Sequence, residues 1–376
     1  MAESLLPLKK ILCIRADNMG DLLMSSPAIR ALKETFNAHI TVLTSSASKG
    51  VVEYLPEIDE AIIYDLPWVK TNALPDIEGF NTLVSDVNSR GFDAAVIFTV
   101  YSQNPLPAAM VAYLAGIPVR AAFCRENPYH LLTHWIPDPE PYTFIRHQVK
   151  RDLALVAELG ASTQNNSLSI TVPEGLQESL KQKLTGKGID FEKPWLMLHP
   201  GVSEKKREFP AELWIAAGRE LSKSFQLLFT GNPSERALTE YFSQEIGEKA
   251  FSLGGELSLD EFIALIKTAP LVVSVNTGTI HLAAALQTPV IVLYALTNPQ
   301  HLPWKVKGKA LFFNVPKEQR SRNEVIRFVN DTWFVEPVKQ VTPDAIVEAV
   351  FEILSNPDYP VFPEMVEIQS RVQEAK

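Results

Sequence analysis

The stretch ILCIRADNMGDLLMSSPAIRAL, residues 11–32, joins an apolar run to a polar turn and then to a helical pattern. The run ILCIR predicts a strand, and the pattern that follows Gly20 predicts a helix. Asp21 therefore lies where a strand ends and a helix begins. A carboxylate in this place fits two hypotheses: a helix cap that bonds backbone N–H groups, and a general base at the edge of a sheet.

The same alternation of strand and helix continues along the chain. Continuous apolar runs between helical patterns are typical of parallel sheets that are covered on both faces. The sequence therefore predicts an α/β protein made of two Rossmann-like, doubly wound parallel-sheet domains that face each other across a cleft. The further predicted strands are 39–44, 60–65, 93–99, 195–201, 225–231, 271–278 and 290–295.

The polar, helical stretch in the middle of the chain predicts a domain boundary. We expect residues 1–165 to form an N-terminal domain and residues 166–190 to form a linker. Residues 191–340 would form the C-terminal domain. We expect 341–376 to be a helix and tail that pack back on the first domain.

Composition and charge narrow the class of protein. The formal net charge of −9 disfavours a nucleic-acid partner. Cys13 and Cys124 are the two cysteines, which fits a reducing compartment, and no Cys/His spacing indicates a metal site. Lys9 and Lys10 interrupt the N-terminal apolar run, and no run of eighteen apolar residues occurs. We expect a cytoplasmic protein.

Ligands of doubly wound sheets bind beyond the carboxyl ends of the strands, so the residues that follow each strand matter most. In HPGVSEKKREFP, His199 and Gly201 belong to a tight turn whose backbone a ligand can approach. Lys205, Lys206 and Arg207 then precede a helix. Three cations in this place predict an anion site, with a solvated loop as the alternative.

The stretch NTGTIHLAAAL follows another predicted strand. The backbone N–H groups of Thr277, Gly278 and Thr279, with two hydroxyl groups, suit a diphosphate at a helix N-terminus. Asn276 comes directly before them. His281 lies one helical turn further on and fits either a ligand contact or a histidine at the edge of the core.

Two further strand ends complete the candidate site. The turn RADNMGD holds Gly20 alone where a dinucleotide fingerprint needs three glycines, so we expect no nicotinamide or flavin cofactor. Asp17 in this turn is expected to face solvent. Glu235, near the start of a helix, fits a favourable interaction with the helix dipole or a hydrogen bond to a ribose.

Four motifs in this order resemble the lipopolysaccharide heptosyltransferases of glycosyltransferase family 9: RADNMGDLLMSSPAIRALK, HPGVSEKKREFPAELW, FTGNPSER and NTGTIHLAAALQTPVIVLY. The resemblance covers roughly residues 10–350 and implies that residues 1–165 are the acceptor-side domain and residues 191–340 the domain that binds the nucleotide-sugar donor. It implies the two-domain GT-B architecture and the inverting, metal-independent transfer of a sugar to a hydroxyl group. The donor would be a nucleotide-diphosphate sugar, of the ADP-heptose type. The acceptor would be a lipopolysaccharide-core or other cell-surface glycan, and no cofactor is implied.

The resemblance also implies roles for particular residues. Asp21 would be the general base, and Glu235 would lie near the donor ribose. Arg207, where the family usually has lysine, would contact the diphosphate with neighbouring Lys206. The helix that begins near Thr277 would also hold the diphosphate.

The family commonly has aspartate at the position of Asn276. Asparagine keeps the shape and the acceptor oxygen, loses the charge and gains a donor. The change would affect which sugar hydroxyl groups are held, or the rate.

Two other functions fit the same architecture. One is a sugar-nucleotide epimerase, which would need further carboxylates and a histidine. The other is a catalytically silent protein that binds a glycan or a nucleotide. Because the family's acceptors are lipid-linked, the apolar and aromatic loops 66–80 and 101–114 fit either peripheral contact with the inner membrane or packing against their neighbours.

Overall fold

The computed structural model describes residues 8–69, 76–172, 175–333, 338, 340–362 and 368–369. The chain divides into two units, one that runs to Ser169 and includes the short strand Ile368–Gln369, and one that begins at Ile170. Of the predicted membrane-contact loop 66–80, residues 70–75 lie outside the described residues. No helix among the described residues is long and apolar enough to cross a membrane.

The first unit is built on a parallel sheet of six strands in the order β3-β2-β1-β4-β5-β6. These strands are β1 (Lys10–Ile14), β2 (His39–Thr44), β3 (Glu60–Ile63), β4 (Ala94–Ile97), β5 (Val119–Cys124) and β6 (His134–Pro137). A short strand, β7 (Phe144–Ile145), lies outside this sheet. The helices of the unit are α1 (Met19–Phe36), α2 (Lys49–Val52), α3 (Ile77–Ser89), α4 (Leu106–Leu114) and α5 (Gln148–Ala157).

The second unit repeats this topology with the strand order β10-β9-β8-β11-β12-β13, again all parallel. Its strands are β8 (Trp195–His199), β9 (Gln226–Gly231), β10 (Ala250–Gly254), β11 (Val272–Val275), β12 (Val290–Ala295) and β13 (Gly308–Phe313). Its helices are α6 (Leu176–Thr185), α7 (Ala211–Leu221), α8 (Arg236–Ile246), α9 (Leu259–Thr268), α10 (Gly278–Leu286), α11 (Glu324–Trp333) and α12 (Pro343–Ser355). The predicted α/β fold with two doubly wound parallel sheets is confirmed.

Four strands of these sheets, β5, β6, β10 and β13, were not predicted. β6, β10 and β13 are edge strands, and most of their residues are only half-buried, so their sequences lack a continuous apolar run. β5 contains Arg120, whose guanidinium donates to the carbonyl groups of Leu131 and His130, both at 2.8 Å. A buried arginine interrupts the apolar pattern without interrupting the strand.

The strand order places Asp21, His199 and Asn276 at the topological switch points. In the first sheet the order reverses between β1 and β4, and Asp21 follows β1. In the second sheet it reverses between β8 and β11. His199 ends β8, and Asn276 directly follows β11. Switch points of doubly wound sheets are where such folds bind their ligands.

Helix α1 begins in the turn that follows β1 and passes through Pro27 without ending. Proline cannot donate to the carbonyl group four residues earlier, which is that of Leu23. The hydroxyl group of Ser26 donates to this carbonyl oxygen at 2.7 Å instead. The helix therefore continues through the proline and runs unbroken from Met19 to Phe36.

The position of the C-terminal helix differs from the prediction. We expected it to pack on the first domain, but Ile346, Val350 and Ile353 of α12 are buried in the core of the second unit. These residues share one helix face, and α12 packs against α7 through it. The strand β14 (Ile368–Gln369) does pair with the first unit, antiparallel to β7. The other residues beyond Phe362 lie outside the described part of the chain.

Candidate active site

The loop after β8 brings a cation to the end of β11. Lys205–Arg207 form one turn of 3-10 helix, and Nη1 of Arg207 donates to the backbone oxygen of Asn276 at 3.3 Å. Lys206 pairs with Glu204 at 2.9 Å, whereas Nε of Arg207 lies 3.7 Å from the same carboxylate. Lys205 is exposed. Of the three cations, Arg207 is thus held against the neighbouring strand end.

Asn276 ties two strand ends together. Its Oδ1 accepts from the backbone N–H of Ala295 at 3.2 Å, and its Nδ2 lies 3.5 Å from the carbonyl oxygen of the same residue and 3.4 Å from Oγ1 of Thr297. The residue is 6% exposed. The side-chain amide therefore links the end of β11 to the end of β12 through both its oxygen and its nitrogen.

The N-terminus of α10 differs from the prediction in one detail. The backbone N–H of Thr277 donates to the carbonyl oxygen of Val275 at 2.8 Å, so the expectation that this group is available to a ligand is wrong. A tight turn at the end of β11 uses it. Gly278 and Thr279 form the first helical positions, whose N–H groups have no acceptor within the helix. Oγ1 of Thr277 is buried and has no hydrogen-bond partner among the described residues.

Glu235 closes the turn that follows β9. Its Oε2 accepts from the backbone N–H of Asn232 at 2.8 Å, at the start of α8. A Cβ atom added to Gly201 would lie 2.1 Å from Cδ of Glu235, so the carboxyl group packs directly on the glycine. Burial raises the pKa of the Glu235 carboxyl group above its ordinary value. Gly201 is required by close approach rather than by backbone conformation.

The two predicted histidines are packed inside the second unit. Nδ1 of His199 lies 3.1 Å from Oγ1 of Thr230, and its ring lies 5.6 Å from that of Phe262. Burial lowers the pKa of His199 to about 4, so the ring is neutral near pH 7. His281 is 5% exposed, with its ring 6.5 Å from that of His301.

In the first unit, Asp21 makes both a capping contact and an ion pair. Its Oδ2 accepts from the backbone N–H of Asn18 at 3.3 Å, and its Oδ1 accepts from Nη2 of Arg15 at 3.1 Å. The Asp21 side chain is 13% exposed, and Gly20 beside it is buried in the first turn of α1. The capping hypothesis and a role in chemistry are therefore compatible.

Asp17 contradicts the expectation of a solvent-facing residue. Its side chain is 11% exposed, lies 3.3 Å from Nε of Arg15 and accepts from Nε2 of Gln103 at 2.5 Å. Burial raises the pKa of the Asp17 carboxyl group, although the charge of Arg15 opposes that effect. Gln103 is distant in sequence, so the residues of the turn alone do not reveal this environment.

Sequence reasoning also missed Arg15. The signal was present, because the apolar run ILCIR ends in an arginine and two aspartates follow within six residues. The predicted residues of the β8, β9 and β11 ends lie together in the second unit, whereas Asp21 belongs to the first. Among the residues with described positions, no group of three or more His, Cys, Asp or Glu side chains is arranged to hold a metal ion.

Comparisons with known proteins found similar sequences. Residues 83–327 match the model of glycosyltransferase family 9 (heptosyltransferase). Lipopolysaccharide heptosyltransferase 2 of Escherichia coli (strain K12) is 25% identical over 314 residues, which cover 78% of this chain and 85% of that protein.

Solved structures show the same fold. The glycosyl transferase family 9 protein of Veillonella parvula has a TM-score of 0.73 at 17% identity and covers 94% of this chain and 99% of its own. The ADP-heptose lipopolysaccharide heptosyltransferase II of E. coli has a TM-score of 0.68 at 21% identity, with coverage of 92% and 98%.

Proposed function

The chain belongs to glycosyltransferase family 9, and from this membership we propose that it transfers a heptose or related sugar from an ADP-sugar to a hydroxyl group of a lipopolysaccharide-core acceptor. The two E. coli proteins support this choice of substrates, since both are named lipopolysaccharide heptosyltransferases and the name of one includes ADP-heptose. The reaction needs a site for a diphosphate, a base for the acceptor hydroxyl group and a way to stabilise the leaving group.

The switch point of the second sheet supplies the diphosphate site. Arg207 is held at the end of β11 by the carbonyl group of Asn276, and α10 begins two residues further on with Gly278 and Thr279. The buried hydroxyl group of Thr277 has no acceptor or donor among the described residues. Three kinds of donor converge on this strand end: a guanidinium, two helix-terminal N–H groups and a hydroxyl group. Such donors are suited to phosphate oxygens. This convergence is the observation that carries the proposal.

The transfer inverts the anomeric carbon. The acceptor oxygen attacks the face opposite the diphosphate, the new C–O bond forms as the bond to the diphosphate oxygen breaks, and the bonding electrons leave with the nucleoside diphosphate. Asp21 takes the acceptor proton as the oxygen commits, which is general base catalysis.

Charge that develops on the leaving diphosphate is stabilised by Arg207 and by the N-terminus of α10. In this mechanism the protein itself supplies the positive charge, so no metal ion or cofactor takes part. Turnover that is unchanged by a chelator supports this point, and turnover that a chelator abolishes contradicts it.

We assign recognition of the nucleoside to Glu235. Its carboxyl group is held at Oε2 by the turn N–H of Asn232, within the same set of strand ends as Arg207. A carboxylate accepts hydrogen bonds from both hydroxyl groups of a ribose. Glu235 therefore contributes selection for the donor's ribose, separate from the binding of the diphosphate.

We extend the proposal to a peripheral location at the inner face of the inner membrane. Helix α4 exposes apolar and aromatic side chains: Met110 is 40% exposed, Tyr113 48% and Leu114 54%. Exposed apolar groups on an amphipathic or apolar helix favour contact with a membrane interface. Flotation with vesicles that contain anionic lipid tests the location; binding that is lost in Leu114→Asp supports it, and no flotation of the wild-type protein contradicts it.

Calorimetric titration with ADP, GDP, UDP and CDP tests the donor class first. Selective binding of ADP, followed by release of ADP from ADP-heptose only when a truncated lipopolysaccharide core is present, supports the transferase. Release of an epimerised nucleotide sugar without any acceptor would point to an epimerase instead. Binding of ADP with no turnover for any donor would point to a silent binding protein.

A further inference from the structure

Arg15 is a buried guanidinium between the first strand and the first helix. Its side chain is fully buried, with Nε 3.3 Å from Oδ2 of Asp17 and Nη2 3.1 Å from Oδ1 of Asp21. One guanidinium therefore contacts a residue of the turn and a residue of the first turn of α1. The planar guanidinium makes the hydrogen bond to Asp21 directional, which a lysine ammonium on a flexible stem cannot reproduce.

The backbone of Arg15 is fixed by the neighbouring strand. Its N–H donates to the carbonyl oxygen of Leu43 at 3.0 Å, and its own carbonyl oxygen accepts from the hydroxyl group of Thr44 at 2.7 Å. The guanidinium therefore projects from a rigid element of the sheet. The sheet, rather than the turn, therefore sets the position of a carboxylate that this guanidinium binds.

A third carboxylate, on helix α5, balances the charge of this cation. Asp152 of α5 is buried and accepts from the hydroxyl group of Ser25 and from Nε2 of Gln148, both at 2.7 Å. Burial lowers the pKa of Arg15, but the charges of Asp17, Asp21 and Asp152 outweigh this effect and the guanidinium stays charged.

Stability alone does not account for this arrangement. Burying an ion pair costs desolvation free energy, and well-packed apolar groups often stabilise a fold as well or better. Nε and Nη1 of Arg15 are buried without a hydrogen-bond partner among the described residues, which adds to that cost. A strained or costly contact beside a functional group indicates a role in function.

We propose that Arg15 is a positioning residue that holds the carboxylate of Asp21 in the orientation required for proton removal, and this inference rests on the proposed function of Asp21. Arg15 itself contacts no reacting atom. It acts through Oδ1 of Asp21, with Asp17 and Asp152 keeping the guanidinium charged and in place. A misplaced base lowers the rate of the chemical step while leaving donor binding intact, since ADP is bound by residues of the other unit.

The variant Arg15→Lys tests the proposal because it keeps the charge and loses the fork. We expect a kcat about 10–100-fold lower, a KM for the donor within about threefold and an unchanged Kd for ADP. Arg30→Lys is the matched control, because Arg30 is also a buried arginine of the first unit and pairs with a different carboxylate, that of Glu57, at 2.8 Å. It should lose stability and keep its kcat.

A double-mutant cycle separates this inference from the assignment of the base. Arg15→Lys introduced into Asp21→Asn should cause no further loss of kcat, because the carboxylate that Arg15 orients is gone. A further loss in that background overturns the positioning role. If Asp21→Asn alone keeps wild-type turnover, the assignment of the base fails instead. Wild-type kcat in a folded Arg15→Lys variant overturns the positioning role as well.

A second variant covers the case in which Arg15→Lys does not fold. Asp17→Asn removes the ion pair to Nε of Arg15, while its amide oxygen can still accept from Gln103. We expect kcat to fall several-fold. Introduced into Asp21→Asn, the same substitution should cause no further loss of kcat. An unchanged kcat in folded Asp17→Asn contradicts the proposal.

Discussion

The carboxyl group of Glu235 packs directly on Gly201, so that a Cβ atom at this glycine would lie 2.1 Å from Cδ and 2.2 Å from Oε1 of the glutamate. The contact joins the end of β8 to the turn after β9, and it fixes a group that we assign to recognition of the donor ribose.

Gly201→Ala should therefore displace Glu235. We expect the free energy of unfolding to fall by about 1–3 kcal/mol, as for other overpacked sites, and ADP binding to weaken with it. Urea denaturation and calorimetric titration measure the two effects. Gly186→Ala is the control, since its added Cβ would have its nearest contact at 3.3 Å. Equal stability losses in the two variants would contradict the packing argument.

Arg207→Ala should weaken ADP binding about 10–100-fold, because a charge-assisted hydrogen bond to phosphate is worth roughly 1.5–3 kcal/mol. Lys205→Ala removes the same charge two residues earlier, from a side chain that is exposed. Its Kd for ADP should stay within about twofold of the wild-type value. If both variants lose affinity equally, the loop acts through its net charge and Arg207 has no specific role.

Asn276→Asp should lower the free energy of unfolding by about 1 kcal/mol. The amide faces both the N–H and the carbonyl oxygen of Ala295, and a carboxylate can satisfy the first but repels the second. Asn323→Asp is the matched change, because Oδ1 of Asn323 accepts only from backbone N–H groups in the contacts described for it. That variant should stay within about 0.5 kcal/mol of the wild type. A stable Asn276→Asp protein would show that the amide donor is not needed.

The buried, neutral His199 predicts a loss of stability in mild acid. The unfolded chain binds a proton on this histidine near pH 6.5, whereas the folded state binds it only near pH 4. As the pH falls through this window the unfolded state gains protons first, so the free energy of unfolding decreases, by about 1–3 kcal/mol.

His199→Asn isolates this contribution, since asparagine can keep a polar contact to Thr230 and does not titrate. Urea denaturation of both proteins at pH 7.5 and at pH 5 measures it. The wild-type protein should lose more stability than the variant between the two pH values. Equal losses would mean that His199 is protonated in the folded state as readily as in the unfolded chain.

The sequence allowed the fold class and the positions of several candidate site residues at strand ends to be predicted, because apolar strands and the residues directly after them are local patterns. Asn276, Gly278 and Thr279 lie at the predicted strand end and helix start for that reason. The engaged N–H of Thr277 depends on a turn geometry that residue types do not determine. The buried state of Asp17 depends on Gln103, which is 86 residues away.

The prediction that α12 packs on the first domain was wrong for a similar reason. Its apolar face is evident from the spacing of Ile346, Val350 and Ile353, but a helix face does not specify which core it covers. Arg15 was missed because an arginine at the end of a strand is ordinarily read as solvent-exposed, and Asp152, which balances it, is far along the chain.

The most direct measurement is the turnover of Asp21→Asn with ADP-heptose and a truncated lipopolysaccharide core, next to its Kd for ADP and its thermal unfolding. The account predicts a folded protein with unchanged ADP affinity and a kcat about 10²–10⁴-fold below that of the wild type, as for the loss of a general base. A folded variant that keeps the wild-type kcat would contradict the assignment of Asp21 as the base and leave it a helix cap.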